Sequence, residues 1–235
     1  MRQPSFTVVW VAIATLFLAA CGGNDGQQRA AFIDFLQTRI LDKPGVRVPR
    51  LTAEERERFG PYADHYAVIA DFNKAMDQSV SPKMTAAVSA GSISSLQDAV
   101  TQRARLQTAQ AGINEMGDAL TKALAQADAA HAKLDQPDDL EKVYDKAYDH
   151  LVTQPATAFK DIVPIMDTVL GEAIELGRYL DEHRSSVRIS GSMIETSDPA
   201  VQSAVNEKLK SLQEKQQAVR SAQARLQAVA YGTPR

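Results

Sequence analysis

The stretch 106-LQTAQAGINEMGDALTKALAQADAAHAKL-134 decides the fold. Leu106, Ile113, Leu120, Ala127 and Leu134 recur every seven residues, and Ala109, Met116, Ala123 and Ala130 fill the interleaved places. Apolar residues at that period make the a/d seam of a helix. The small residues at d let a neighbouring helix come close. The helix is expected from about 94 to 134, with Pro137 as its stop. A second seam, Val205, Leu212, Val219 and Leu226, follows the helix-start pair Asp198-Pro199. At ~1.5 Å per residue the two helices are about 60 and 50 Å long, lengths that let them lie side by side. The expected fold class is all-α: an elongated antiparallel helical bundle with long heptad-patterned helices and one small β-hairpin excursion.

Outward from these seams the chain stays mainly helical. Phe32, Phe35, Leu36 and Ile40 form one apolar stripe over 29–41, stopped by Lys43-Pro44-Gly45. Val46-Arg47-Val48-Pro49 alternates and reads as a short extended piece. Thr52-Ala53-Glu54-Glu55 is a capping box opening a short helix, which Gly60-Pro61 ends. Tyr62, Tyr66, Ile69, Phe72, Met76 and Val80 mark the next helix, with a kink or restart at Ser81-Pro82 and an end at Gly91. Leu140, Val143, Tyr144, Ala147 and Leu151 mark another, for which Pro155 is the expected stop. A further helix spans about 156 to 183, bent at Pro164, with Gly171 and Gly177 as close-contact positions. Val187, Ile189, Met193 and Ile194 flank Ser190-Gly191-Ser192 and read as a β-hairpin. A hairpin in a helical protein needs cover for its apolar side chains. These four residues either pack on the bundle end or beside Val46–Val48, or they form an interaction element.

The start of the chain has a different character. Arg2 precedes an apolar run, Phe6 to Leu18, and Leu18-Ala19-Ala20-Cys21 follows. A charged start, a short apolar core and small residues make a secretory signal. The run is too short to span a bilayer core of ~30 Å as a helix. The ending looks like a bacterial lipobox, in which cleavage falls between Ala20 and Cys21 and the cysteine is acylated. Two or more acyl chains hold a protein firmly on a membrane without any spanning helix. Cys21 is the sole cysteine, so its alkylation leaves no thiol for a disulfide, a metal or a nucleophile. The expected layout is a signal peptide at 1–20, lipidated Cys21 and a flexible tether at 21–28, a single helical domain at 29–230 and a tail at 231–235. The expected location is the cell envelope, lipid-anchored and facing the periplasm. Gly22, where an Asp would favour inner-membrane retention, points to the outer membrane.

Of 235 residues, 29 are acidic and 26 basic, a net charge of −3. A mildly acidic chain is a poor binder of polyanions, so no nucleic-acid partner is expected. Arg29, Arg39, Lys43, Arg47 and Arg50 make the segment after the tether basic, a candidate contact with anionic head groups.

Four short stretches carry a resemblance. Arg29-Ala30-Ala31-Phe32-Ile33-Asp34-Phe35-Leu36-Gln37, Phe59-Gly60-Pro61, Asp128-Ala129-Ala130-His131 and Val152-Thr153-Gln154-Pro155-Ala156 resemble the YiaF-like family of proteobacterial lipoproteins, a domain of unknown function. The resemblance covers most of the chain after the leader. It implies a lipid-anchored envelope protein and transfers no catalytic residue.

Motifs for chemistry are few. No two of His65, His131, His150 and His183 stand at the four-residue spacing of helical metal ligands. Asp128 and His131 share a helix face and read as a packing pair rather than ligands. Glu141, Asp145 and Asp149 form an acidic stripe, read as a solvated face, with Tyr144 and Tyr148 as packing residues. No nucleophile elbow, Ser-x-x-Lys or phosphate-cradling loop occurs. No cofactor, metal or catalytic residue is therefore assigned, and the expectation is a non-enzymatic structural or adaptor protein with an envelope protein as partner. One alternative is a binding module for a lipid or cell-wall fragment, which needs a cavity. The other is a hydrolase on envelope polymers, which needs polar groups converging in a cleft.

Overall fold

The computed structural model describes residues 24–91, 95–190 and 193–232. The residues read as the signal peptide, Cys21, Gly22-Gly23, residues 92–94, Gly191-Ser192 and residues 233–235 lie outside them.

The described chain is mostly α with one small hairpin. α1 (Asp25–Leu36) opens it and passes into a π turn, Gln37–Leu41. An extended segment leads to α2 (Ala53–Phe59), whose capping box forms as expected: Thr52 accepts from the Glu55 N–H, and Glu55 accepts from the Thr52 N–H. α3 (Tyr62–Ala75), a π turn (Met76–Val80) and α4 (Ser81–Gly91) form one run. α5 (Leu96–Thr101) and α6 (Arg103–His131) follow. α7 (Asp138–Tyr148), a π turn (Asp149–Thr153) and α8 (Gln154–Glu182) form a second run. β1 (Val187–Ser190) pairs antiparallel with β2 (Met193–Thr196), with Ile189 opposite Ile194. α9 (Pro199–Tyr231) returns the length of the molecule, its first turn capped by the Asp198 carboxylate, which accepts from Ala200 and Val201.

The long helices alternate in direction. Gln110 on α6 donates to Asp167 on α8 at 3.0 Å, while Gly117 on α6 lies against Val163 on α8, so rising numbers on one helix meet falling numbers on the other. The seam of α6 is buried as its period requires: Leu106, Ile113, Met116 and Leu120 are at most 1 % exposed. Small residues set the spacing. A Cβ on Gly117 would stand 3.1 Å from Val163, and one on Gly177 would run into the Ala99 carbonyl. The core of the other end is aromatic: Phe32, Phe35, Phe59, Tyr62, Tyr66 and Tyr144 pack there, with Phe35 edge-on to Tyr66 at 5.3 Å. Among the described residues no polar or charged side chain other than the tyrosines is buried, so the fold is held by apolar packing.

Several expectations change. The two heptad helices do not pair with each other: α6 packs between α4 and α8, and α9 packs on α8. Both seams need an apolar face, and the stripe of α8 is wide enough to serve two helices, with Ile162, Leu170, Ala173, Leu176 and Leu180 all buried. The helix expected over 94–134 is broken at Gln102, which sits at φ −109°, ψ 21°. The break lets Leu96 and Val100 pack on Leu176 and Leu180, where a straight helix would carry them past. Pro155 does not stop its helix. The Gln154 N–H reaches back to Asp149, a five-residue step, and the widened turn makes room for the proline ring and its missing donor. Pro82 follows its own π turn in the same way. Asp25 to Gln28, expected to belong to a flexible tether, are helical instead. The Asp25 carboxylate suits a helix start, and the Tyr62 hydroxyl donates to it at 2.7 Å.

Candidate functional site

The four hairpin residues divide. Val187, Ile189 and Ile194 are half-buried against Leu180, Val201 and Val205, so the hairpin packs on the bundle end and does not pair with Val46–Val48. Met193 is 62 % exposed and stands alone as an outward apolar side chain of the hairpin.

The five basic residues are not brought to one patch. Arg29, on the first turns of α1, bridges Asp25 (3.8 Å) and Asp139 (3.3 Å). Arg39 lies ten residues further, about 15 Å along the helix. It pairs with Glu55 at 3.6 Å and sits over the Phe35 ring. Lys43, Arg47 and Arg50 follow it, so the group near Arg39 and the start of α1 are opposite ends of one helix. At the start of α1 the exposed neighbours include Asp139.

Asp128 and His131 do share a face, but each takes its partner across the interface with α7. The Tyr148 hydroxyl donates to Asp128 at 2.7 Å, and the His131 ring nitrogen lies 3.0 Å from Asp145. The His131 ring stacks on Tyr148 at 4.1 Å. Burial and the Asp128 carboxylate both push the Tyr148 hydroxyl well above the usual phenol range, and burial does the same to Tyr66 and Tyr144. The Tyr144 hydroxyl donates to the His65 carbonyl at 2.7 Å, and His65 Nδ1 lies 2.9 Å from the Gln136 amide. Burial lowers the pKa of His65, against the pull of Asp64 and Asp135. These groups clamp α3, α6 and α7 together. A serine or cysteine nucleophile is not among their partners, and no set of three metal-ligating side chains is found among the described residues.

The chemistry that faces solvent lies in open grooves. One, of about 790 Å³, runs between the extended segment and α3. Val48, Leu51, Ala63, Ala67 and Ala70 make its apolar floor, and Tyr66 is anchored beneath by donating to the Pro49 carbonyl at 2.8 Å. Arg50, Arg56 and Lys74 stand on the rim with Asp71 and Asp77. Another, of about 1160 Å³, lies where the end of α9 meets Lys43–Gly45 and His150. There Val46 donates to the Ala230 carbonyl at 3.1 Å, and Gly45, at φ 71°, leaves no room for a side chain beside Ala230. The first groove escapes sequence reasoning because its walls are distant in sequence. Only the alternation Val46-Arg47-Val48 signalled it.

No described helix is long and apolar enough to cross a membrane. The molecule is thus a mostly-α protein with a small β-hairpin, an apolar core and grooves on its surface. The chain belongs to the family Protein of unknown function (DUF3053), whose model matches residues 8–227. It is 34% identical over 186 residues to Uncharacterized protein YiaF of Escherichia coli (strain K12), covering 77% of each chain. The same identity and coverage hold for Uncharacterized protein YiaF of Shigella flexneri. No solved structure matches the chain.

Proposed function

We propose that this is a lipid-anchored envelope protein whose helical body serves as an adaptor, a contact surface held beside a membrane. Leu18-Ala19-Ala20-Cys21 after the apolar run is the observation that carries this reading. Cleavage before Cys21 and acylation of its sulfur and amino group supply the anchor. Gly22 directs the protein to the outer membrane, with the body in the periplasm. Two features of the body support the reading. α1 starts at Asp25, four residues past Cys21, so the folded part begins within about 14 Å of the acylated sulfur's residue. The packed apolar interior leaves the outer surface, with its grooves and Met193, as the part that meets a partner. The protein so described performs no chemistry of its own.

Mass spectrometry of the processed N-terminus tests the anchor. The expected product begins at Cys21 and carries acyl chains, and Cys21→Ala releases the body from the membrane fraction. An unmodified thiol or a retained leader would end the reading. In-cell photocrosslinking from position 193 tests the adaptor role, with capture of a discrete envelope protein as the expected result and absence of any adduct as the contrary one.

A further inference from the structure

The segment between α1 and α2 has an unusual hydrogen-bond account. Val46 donates to Ala230, and Thr52 donates to Glu55, but none of residues 47–51 between them donates a main-chain hydrogen bond to any of the described residues. Among the described residues the carbonyls of Arg47, Val48, Arg50 and Leu51 accept none either, and of these five residues only the main chain of Pro49 is engaged, by the Tyr66 hydroxyl. Backbone groups in folded proteins are almost always paired with protein or water, so this is a solvated open edge. An extended backbone with free donors and acceptors is the template to which another extended chain adds.

The groove beside this edge has the dimensions and the charge for such a chain. Its α3 wall runs from Ala63 to Gln78, about 22 Å at ~1.5 Å per residue. An extended peptide of about six to seven residues covers that length. The alanines at 63, 67 and 70 keep the floor low enough for a backbone to approach. The charges are sorted along the groove. Arg50 and Arg56 stand at the end near Ala63 and Tyr66, while Asp71 and Asp77 stand up to three turns further along α3, with Lys74 between them. Among the described residues Arg50, Arg56 and Lys74 form no ion pair, whereas Arg29, Arg39 and Lys83 each hold a carboxylate. Asp77 accepts from the Asn73 amide at 3.3 Å and keeps its second oxygen open.

We propose that the groove between residues 47–51 and α3 binds a partner polypeptide in extended form, by main-chain pairing with this edge, its acidic end at Arg50 and Arg56 and its basic or amino end at Asp71 and Asp77. The proposal rests on the adaptor reading and names the partner's chemistry. It does not depend on acylation. A lipid of the same reach would satisfy the floor but would leave the open main-chain groups unpaired, and so is the weaker fit.

Two experiments on the full chain in neutral nanodiscs test it. Amide hydrogen exchange on the free protein comes first: Arg47, Val48, Arg50 and Leu51 exchange rapidly while the buried turns of α6 stay protected. Slow exchange at those four positions would overturn the proposal, since the edge would already be paired. Selection from a display library of random nine-residue peptides comes second. It is expected to enrich β-forming peptides with Asp or Glu toward one end, and binding them protects alternate amides of the segment, either Arg47 with Leu51 or Val48 with Arg50. Ala67→Trp, which raises the floor at a half-exposed site, and the pair Arg50→Glu with Arg56→Glu each weaken binding about tenfold or more. Circular dichroism confirms that each variant is folded. Failure to enrich peptides, or undiminished binding by Ala67→Trp, overturns the groove and leaves the anchor untouched. Loss of acylation removes the anchor and leaves the groove assay unchanged.

Discussion

Gly177 shows how far one residue reaches. In an open helix a change from Gly to Ala stabilises by about 1 kcal/mol. Here the added methyl would meet the Ala99 carbonyl, which belongs to backbone and cannot turn aside. Gly177→Ala is therefore expected to cost ~1–3 kcal/mol, read as a lower urea midpoint with unchanged helix content. The tyrosines set the alkaline limit. Tyr66 and Tyr144 have folded-state pKa values raised by burial, so above pH ~10 the unfolded chain sheds protons that the folded chain keeps. Their contribution is complete below pH ~10 and falls above it, by up to about 1.4 kcal/mol per pH unit for each. Urea midpoints level up to pH 9 and falling steeply by pH 11 are expected. A midpoint that does not move over that interval would contradict the burial of these hydroxyls. The sequence announced Gly177 as a close-contact position and Tyr144 as a packing residue. It could not announce that Asp128 and His131 would turn from each other to Tyr148 and Asp145, because those partners are defined only once α6 meets α7.

At the scale of elements, periodicity was a reliable guide, and proline marked boundaries correctly at Pro61, Pro137 and Pro199 but not at Pro155. The seven-residue seam from Leu106 to Ala127 is buried as its spacing requires. Pro155 reads as a stop because the proline rule is local: an α turn has no room for the ring. A π turn makes that room, and its cause lies in keeping Leu151, Val152 and Ala156 in the core together, a tertiary demand with no local signature. The hairpin offers a sharper test of element packing. Ile189 leans on the Leu180 and Val205 cluster, whereas Met193 points outward. Ile189→Ala is expected to lower stability by about 1–2 kcal/mol, below the range for fully buried sites because the side chain is only half covered. Met193→Ser is expected to leave the thermal midpoint within a degree or two, since exposed substitutions stay within about 0.5 kcal/mol. A large loss for Met193→Ser would mean that the hairpin tip is covered.

For the whole molecule, the important contact joins its last described helix to its early segment. The α9 carbonyl at Ala230 receives the Val46 N–H, so the end of the chain secures the extended segment between α1 and α2. Removing residues 227–235 is expected to free that segment and speed tryptic cleavage at Arg47 and Arg50 severalfold, while the helix content of α6 and α8 stays intact. Peptide mapping of the early cuts checks it, and a digestion pattern matching the full chain would refute the role of α9 as a clasp. This long-range closure was invisible in sequence, where the seam of α9 was matched by length to that of α6 although its partner is α8.

The run from Asp138 through both prolines to Glu182 has its own consequence. At ~1.5 Å per residue it is a spar of up to about 65 Å. Its root is stepped among the rings at the start of α1, and its far end carries the hairpin. With no loop to yield along the way, a load hung on Met193 travels down the spar as leverage, and the rings at its foot must bear the strain.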